Sequence, residues 1–366
     1  MGQDNFNEYL DHAQRVVAGF VDNSDVKQYF EPQVIRDSAL SYVGRPAKRL
    51  RPAVLLMACG SVSGPERESA AIPAAAGIEL FHTWTLVHDD LIDNDSLRRG
   101  QPTVHESVTR ASISELGLDE PSAVEYGRDI AVLTGDMQQG WAITAFIDCA
   151  LAGDVDPVLI LHLVRYLQSQ VMGNLICGEV LDVQYGLQGN PCTLELTEDK
   201  IVHMLRLKTG VLYEFAGMAG ALIGLNRPDF EDDRVRAIKS FAGKCGTAFQ
   251  LQDDILGVAG DENTLGKPVG SDIREGKMTV IMCEALKNAD DAQRGRILEV
   301  LGNRHADAQQ VAEVTRLVQD LGGVARAKKL AEQHVMEAVP ALDALDDSPY
   351  KRLLSMWADF MVNRRF

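Results

Sequence analysis

The sequence predicts an all-α fold, and three observations support that prediction. Apolar residues recur at helical spacing through most of the 366 residues, which is typical of amphipathic and buried helices. Strand signals are scarce, because no alternating apolar run is bounded by Asn-Gly or Asp-Gly turns. No fixed-period repeat and no Pro- or Ser-rich linker divides the chain, so residues 1–366 are predicted to form a single domain.

The first helices follow from apolar spacing and composition. Residues 3–22 fit one helix, and a second is predicted over Tyr29–Tyr42. Ala70–Val87 is long, apolar and rich in alanine, which predicts a helix that is buried nearly all round. Residues 105–128 are polar and contain Gly and Pro, so this segment is predicted to be a surface insertion with one short helix.

Helical spacing continues through the second half of the chain. It predicts helices over Ile130–Ala150, Val155–Gly173, Asn174–Tyr185, Leu194–Leu222 and Phe241–Ala259. Residues 186–193 are predicted to form a loop. Lys208 lies within the fourth of these helices, and a lysine among apolar neighbours is costly unless it is paired. A functional role for Lys208 is therefore favoured over a structural one.

Composition restricts the partners of the protein. Hydrophobic residues make up 46% and charged residues 24% of the chain, the balance of a globular protein with a sizeable core. The net charge of −17 argues against nucleic acid as a partner, because a phosphate backbone binds a basic face. A phosphorylated substrate would need metal ions and a local basic cluster to bind it.

Cysteine usage and the N-terminus indicate a location. The six cysteines are scattered without a CxxC pair, which predicts reduced core residues rather than disulfides or a zinc site. The polar, acidic N-terminus is not typical of a signal peptide. No uninterrupted apolar run approaches the ~18 residues of a membrane span. We therefore predict a soluble, cytoplasmic protein without a membrane span.

Three cations precede an apolar helix predicted within residues 44–60. Lys48, Arg49 and Arg51 lie at its N-terminal side, where positive charge opposes the helix dipole. The same position suits an anion, which backbone N–H groups and basic side chains would bind together. A solvated loop explains the charges equally well.

Aspartates are concentrated in the stretch FHTWTLVHDDLIDNDSLRRG, at the end of a predicted apolar helix. Asp89 and Asp93 are four residues apart and would present two carboxylates on one helical face, with Asp90 beside them. Such oxygen ligands suit Mg²⁺, which completes its shell with water and substrate phosphate. Arg98 and Arg99 follow directly and could bind phosphate oxygens in bidentate geometry. A solvated acidic helix end is the alternative for one such cluster alone.

A second carboxylate pair has similar surroundings. Asp253 and Asp254 also end an apolar helix, and the Gly-rich segment after them carries Lys267, Asp272 and Lys277. Bundle cores commonly build metal sites from side chains on facing helices. Two such clusters predict an apolar channel with carboxylates and cations at its mouth, which would fit a ligand with an apolar tail and a diphosphate head.

These motifs resemble those of the trans-isoprenyl diphosphate synthases, the polyprenyl synthetase family. The resemblance rests on HDDLIDND…LRRG and FQLQDD…GDENTLGKPVGSDIREGK, and extends from PAKRLRP to the C-terminal helix. It implies an isoprenoid-synthase bundle of roughly a dozen helices around a central apolar cavity, usually as a homodimer. It also implies head-to-tail condensation of isopentenyl diphosphate with dimethylallyl, geranyl or farnesyl diphosphate.

The resemblance further implies roles for individual residues. Asp89 and Asp93 resemble the ligands of two Mg²⁺ ions and Asp253 the ligand of a third, with Asp90 and Asp254 in support; Mn²⁺ could replace Mg²⁺. The allylic diphosphate would be held by Arg98, Lys208, Lys267 and Lys277. Isopentenyl diphosphate would be held by Lys48, Arg51, His82 and Arg99. Thr209 and Gln250 resemble groups whose oxygens stabilise the allylic cation, and together with Lys208 they are the expected catalytic residues. His88 and His105 are expected to be structural.

Two positions depart from the family pattern. Gly257 stands where the family often has the third aspartate of the second motif, which leaves Asp253 as the main ligand there. Glu179 stands where a glutamine is common, which adds negative charge near Asp182.

Product length is predicted from the helix that leads into Asp89, which rises ~1.5 Å per residue. Trp84 lies five residues before Asp89 and should block the channel, whereas Thr85 is small and leaves one side free. Phe81 lies eight residues, or ~12 Å, before Asp89 and would form the floor. This spacing favours the four-unit product, geranylgeranyl diphosphate, over farnesyl diphosphate.

Two other classes of protein are compatible with parts of the sequence. A terpene cyclase shares the first motif but usually lacks the second motif and the basic PAKRLRP segment. A non-catalytic subunit that binds prenyl diphosphates would be favoured by loss of the motif aspartates or of Lys208, and all of these are present.

Overall fold

The computed structural model describes residues 3–45, 47–187, 196–259 and 270–363. Regular structure in these residues is helical apart from one hairpin of two-residue strands, which confirms the all-α prediction. The described residues form seventeen α-helices, more than the dozen expected. Two compact units are present: Met1–Arg165, Ala216–Val235 and Asp346–Leu353 in the first, and Tyr166–Phe215, Arg236–Leu345 and Leu354–Phe366 in the second.

The first unit is built mainly from the N-terminal helices. They are α1 (Gln3–Asn23), α2 (Gln33–Ser41), α3 (Leu50–Ser63), α4 (Ile72–Asp93), α5 (Val104–Leu116), α6 (Glu120–Leu151) and most of α7 (Pro157–Tyr166). Strands β1 (Leu97–Arg98) and β2 (Gln101–Pro102) pair antiparallel between α4 and α5.

The second unit contains the helices of the C-terminal half. They are α8 (Met172–Gly186), α9 (Glu198–Leu205), α12 (Ser271–Glu275), α13 (Val280–Asn288), α14 (Asp291–Val300), α15 (Ala308–Asp320) and α16 (Gly323–Ala338). Residues of α10 (Val211–Leu225), α11 (Asp233–Ala259) and α17 (Pro349–Asn363) belong to both units. Capping boxes begin α14 and α15, where the side chains of Asp290 and Asp307 accept from backbone N–H groups.

Helix α4 is a core helix, as its composition predicts. Small residues let it pack closely on α6: an ideal Cβ at Gly77 would lie 2.8 Å from Phe146 Cδ2 and 2.9 Å from the Ala142 carbonyl oxygen. By length and composition one described segment, Pro65–Asp93, could cross a membrane, yet 72% of its most apolar window is buried inside the protein. The core helix of a globular protein can be equally long and apolar, and burial in the core explains the apolar composition of this segment.

The prediction of a surface insertion with one short helix over residues 105–128 was wrong about the helical content. Val104–Leu116 forms α5, and residues from Glu120 onward begin the 32-residue α6. The two helices pack closely, since a Cβ at Gly127 would lie 2.5 Å from the His105 carbonyl oxygen. The segment is polar in composition because more of its positions in α5 and α6 face solvent than are buried.

The single long helix predicted over Leu194–Leu222 is also divided. A π-helical turn, Arg206–Gly210, separates α9 from α10. A second π-helical turn, Leu167–Val171, joins α7 to α8. Such turns are rare and frequently mark functional sites. The loop predicted over residues 186–193 lies outside the described residues from residue 188 onward.

Candidate active site

Helix α4 ends at the first aspartate cluster. Asp93 is its last residue, and Asn94 adopts the left-handed conformation (φ 59°) and caps the helix through its backbone N–H. Asp89 and Asp93 are half-buried, whereas Asp90 is fully buried. The two half-buried carboxylates are the ones that the i, i+4 spacing pairs on a single face.

The β1–β2 hairpin follows the cluster and carries the two arginines. Arg99 and Gly100 form its two-residue turn with φ values of 55° and 72°. Positive φ at both positions is the requirement of a type I′ turn. A bulky residue with positive φ carries strain of the kind found at functional sites. The sequence does not predict this hairpin, because Arg-Gly is a weak turn signal.

Asp90, which the resemblance implies in support of the metal ligands, is held by two side chains. Its buried carboxylate accepts hydrogen bonds from the Tyr42 hydroxyl and from Arg98, whose Nε lies 2.8 Å from Asp90 Oδ1. Burial and the charge of Asp90 raise the pKa of Tyr42, so its hydroxyl stays protonated and continues to donate. Asp90 therefore anchors Arg98, while Arg98 Nη2 also lies 3.5 Å from Asp89 Oδ2.

Arg45 is a site residue that the sequence did not reveal. Its guanidinium donates to the Arg98 carbonyl at 2.9 Å and to the Pro102 carbonyl at 2.6 Å. It also lies over the Tyr42 ring, 4.4 Å from the centroid, within the range of a cation–π contact. Arg45 thus holds both strands of the hairpin, and its place in GRPAKRLRP was the available signal.

The predicted isopentenyl diphosphate residues include a close basic pair. Arg51 Nη1 lies 2.9 Å from His82 Nε2. Burial and the charges of nearby arginines hold the pKa of His82 well below its ordinary value, so the ring is neutral and Nε2 accepts from Arg51. Lys48 lies half-buried in the segment before α3, and Arg99 is exposed at the hairpin turn.

Arg49 differs from its neighbours, because it stabilises the fold. Its side chain is 8% exposed, pairs with Glu79 at 3.8 Å and donates to the Val43 carbonyl at 2.7 Å. Burial raises the pKa of Glu79, and the guanidinium groups of Arg49, Arg99 and Arg51 oppose that rise. Their common proximity to Glu79 shows that these cations lie in one region of the first unit.

The predicted floor residues lie together on α4. Phe81 is fully buried and Trp84 is 9% exposed, and their rings meet edge-on with centroids 4.9 Å apart. Thr85 is half-buried, and its hydroxyl donates to the His82 carbonyl at 2.7 Å. Trp84 and Phe81 therefore form one aromatic block, one to two turns below Asp89.

In the second unit, the π-helical turn presents Lys208 to two carboxylates. Lys208 Nζ lies 2.6 Å from Asp182 Oδ2 and 3.0 Å from Glu179 Oε2, both on α8. Gly178 allows this close approach, since a Cβ there would lie 2.8 Å from the Leu207 carbonyl carbon. The lysine that the sequence singled out is half-buried and ion-paired, and the extra charge of Glu179 is part of the pairing.

A chain of polar contacts connects the next residue to the second aspartate cluster. The Thr209 hydroxyl donates to Gln250 Oε1 at 2.9 Å, and Gln250 Nε2 donates to Asp254 Oδ1 at 3.2 Å. Among the described residues, Asp254 Oδ2 is buried and receives no hydrogen bond. Burial and the nearby carboxylates of Asp272, Asp253 and Asp182 raise the pKa of Asp254 well above its ordinary value. This concentration of negative charge favours a bound cation.

Asp272 takes the space next to Gly257, where the family often has a third aspartate. A Cβ at Gly257 would lie 2.5 Å from Asp272 Oδ2, so the missing side chain makes room for a carboxylate from α12. Lys277 Nζ lies 2.9 Å from Glu275 Oε2 and 4.0 Å from Asp272 Oδ1. Lys267 lies outside the described residues. The sequence alone does not indicate this role of Asp272.

Comparisons with known proteins identify the family. The sequence model of the Polyprenyl synthetase family matches residues 32–318. A short chain isoprenyl diphosphate synthase from Methanothermobacter thermautotrophicus is 32% identical over 91% of both chains. A geranylgeranyl diphosphate synthase from Sulfolobus acidocaldarius is 30% identical over 98% of both.

A solved structure agrees with these relatives. The geranylgeranyl pyrophosphate synthetase from Pyrococcus horikoshii matches with a TM-score of 0.81 and 28% identity, over 98% of this chain and 99% of that one. An all-α fold with carboxylate pairs at helix ends and cations beside them defines a protein suited to metal-assisted diphosphate chemistry. The chain belongs to the polyprenyl synthetase family.

Proposed function

We propose that this protein is a short-chain trans-prenyltransferase that condenses isopentenyl diphosphate with an allylic diphosphate, with geranylgeranyl diphosphate as its main product. The arrangement along α4 is the observation that carries the proposal. One helix presents Asp89 and Asp93 at its end, His82 with Arg51 beside it, and the Phe81–Trp84 block one to two turns below. The aspartates suit a metal-bound diphosphate, the His82–Arg51 pair suits a second diphosphate, and the aromatic block suits the end of an apolar chain.

The proposed chemistry is ionisation, condensation and elimination. Cationic side chains neutralise charge on the departing diphosphate, since stabilising charge as it develops is usually the largest catalytic term. The double bond of isopentenyl diphosphate then attacks the allylic cation, and a proton leaves to the released diphosphate. The Thr209 and Gln250 oxygens would stabilise the cation. Neutral His82 and Arg51 would hold isopentenyl diphosphate without acting as a base.

Divalent metal is the expected cofactor, and the described donors fit it. Asp89, Asp93 and Asp253 would hold Mg²⁺ or Mn²⁺, three ions per active site; Mg²⁺ supplies Lewis acidity toward the leaving diphosphate. The unbonded Asp254 Oδ2 and its carboxylate neighbours support a cation in the second unit. Among the described residues no three ligating side chains form a preformed cage, and Mg²⁺ does not need one because water and phosphate complete its shell.

Related proteins support the proposed metal and substrates. A Corynebacterium glutamicum geranylgeranyl pyrophosphate synthase has been crystallised with isoprenyl diphosphate and magnesium; it shares the fold at 24% identity with a TM-score of 0.83. Relatives named geranylgeranyl diphosphate synthase cover most of this chain. Others at 28–31% identity are named geranylfarnesyl diphosphate synthase. Farnesyl diphosphate synthesis is the alternative that the aromatic block allows.

Replacing Trp84 tests the floor. We expect Trp84→Ala to lengthen the product by one or more isoprene units, because the indole occupies the place into which the growing chain would extend. The total rate of elongation should change by less than about tenfold, since Trp84 touches no proposed diphosphate group. Thr85→Ser is the matched control on the next position and should leave the product unchanged. An unchanged product from Trp84→Ala would assign the tryptophan to core packing alone.

A homodimer is the proposed assembly. Helix α6 exposes a stripe at four- and three-residue spacing, which is typical of a helix that packs against another. It comprises Leu133, Met137, Gly140, Thr144, Ile147 and Leu151, of which the leucines are 52% and 78% exposed. The next helix in the chain, α7, also exposes apolar side chains, with Leu161 69% exposed. An exposed apolar surface of this kind is more stable when another protein surface covers it than when it faces water. We expect the protein to be cytoplasmic, and we propose that a second copy of the chain covers this surface.

Molar mass in solution tests the dimer. We expect the wild-type protein to sediment at twice the chain mass of 40.1 kDa. Leu133→Glu with Ile147→Glu should sediment as a monomer, because a charge in an apolar interface is costly. Glu substitutions at the exposed Ile113 and Leu116 on α5 serve as the control. A wild-type monomer would contradict the proposed assembly.

A further inference from the structure

His88 connects Trp84 to helix α6. The Trp84 indole N–H donates to His88 Nδ1 at 3.1 Å, and the two rings lie edge-on with centroids 6.0 Å apart. Because an indole N–H is only a donor, Nδ1 is the acceptor and Nε2 carries the hydrogen. That nitrogen lies 3.1 Å from the Val132 carbonyl oxygen on α6 and donates to it.

Gly135 gives the imidazole its place on α6. A Cβ at Gly135 would lie 2.5 Å from His88 Cδ2, a distance at which atoms overlap. Gly135 is not among the glycines with positive φ, so any residue could adopt its backbone conformation. The glycine is therefore required by the space that His88 occupies.

These contacts fix the orientation of the Trp84 indole. The Phe81 ring packs edge-on against the indole with the ring centroids 4.9 Å apart, and His88 Nδ1 holds the indole N–H. A side chain held at both places keeps one rotamer, whereas an indole without its hydrogen-bond partner could turn about its χ angles. The position of the proposed floor thus depends on His88, which is not itself part of the floor.

We propose that His88 is a positioning residue for product length, held by Gly135 and Val132 of α6 and holding the Trp84 indole across the path of the growing chain. The inference rests on the proposed function, in which Trp84 limits elongation. It extends the determinants of length from α4 to a second helix.

The test measures the ratio of products longer than four isoprene units to the four-unit product, from dimethylallyl and isopentenyl diphosphates with Mg²⁺. His88→Leu removes both hydrogen bonds, and Gly135→Ala displaces the His88 ring without a substitution in α4. Both should raise the ratio by about three- to tenfold, the factor that one lost hydrogen bond represents. His88→Asn retains an acceptor near Nδ1 and should give a ratio closer to that of the wild-type protein.

Gly19→Ala is the matched control, because Gly19 lies within α1 and a Cβ there meets nothing within 4 Å. Its ratio should equal that of the wild-type protein. Unchanged ratios in His88→Leu and Gly135→Ala, with elongation retained, would overturn the proposal and leave His88 a packing residue. If His88→Leu does not fold, the ratio from Gly135→Ala decides in the same way. Absence of any elongation by the wild-type protein would instead overturn the proposed function.

Discussion

Asp89→Asn is expected to lower kcat by roughly 10³-fold, since Lewis acidity at a phosphoryl group contributes several kcal/mol and about 4 kcal/mol corresponds to that factor. Asparagine keeps the shape of the side chain but loses the charge that would hold the metal. The fold should persist, because Arg98 retains its hydrogen bonds to buried Asp90. Steady-state kinetics at several Mg²⁺ concentrations measure the effect, and excess Mg²⁺ should restore only part of it.

The companion variants separate ligation from general electrostatics. Asp93→Asn should cause a similar loss, and the double variant should lose much less than the product of the two factors, because both residues would serve one site. Asp22→Asn, on the exposed side of α1, removes the same charge elsewhere and should leave kcat unchanged. Activity of Asp89→Asn within tenfold of the wild-type value would contradict the metal assignment.

Lys208→Gln is expected to reduce kcat by about 10²- to 10³-fold, the usual effect of removing one donor to a developing negative charge. It should also lower the free energy of unfolding by about 1–3 kcal/mol, because Asp182 and Glu179 lose their shared cation in a site where Lys208 is only 19% exposed. Thermal unfolding and kinetics on the same preparation separate the two consequences.

A second substitution can restore one property without the other. Glu179→Gln combined with Lys208→Gln removes one of the two carboxylates that lose the lysine, so the double variant should regain part of the lost stability. Its kcat should remain low if Lys208 binds the allylic diphosphate. Lys329→Gln, on the exposed face of α16, is the control for loss of a lysine. Recovery of activity together with stability would make Lys208 a structural residue.

Features governed by local spacing could be predicted from the sequence. The i, i+4 relation of Asp89 and Asp93 follows from the geometry of one helix, and the alanine-rich, apolar run before them predicts the buried α4. Lys208 could be singled out because a charge among apolar neighbours is costly. In each case the physical reason acts within a few residues of the chain.

Features that depend on contacts distant in sequence could not be predicted. Tyr42 binds Asp90 and Arg45 binds the hairpin, each across some 50 residues of sequence. No local pattern in the sequence indicates these contacts. The Asp272 carboxylate occupies the space beside Gly257 only because α12 packs against α11. The helical nature of residues 105–128 was missed because its few buried positions depend on Gly127 and the packing of α5 on α6.

A product assay tests the central claim most directly. Purified protein would be incubated with Mg²⁺, isopentenyl diphosphate and, in turn, dimethylallyl, geranyl or farnesyl diphosphate, and the dephosphorylated products separated by length. We expect one four-unit alcohol from all three primers and no product after chelation of the metal. Products that stop at three units would place the floor closer to Asp89, and chains beyond five units would contradict Trp84 and Phe81 as the floor. A failure to elongate any primer would contradict the proposed function itself.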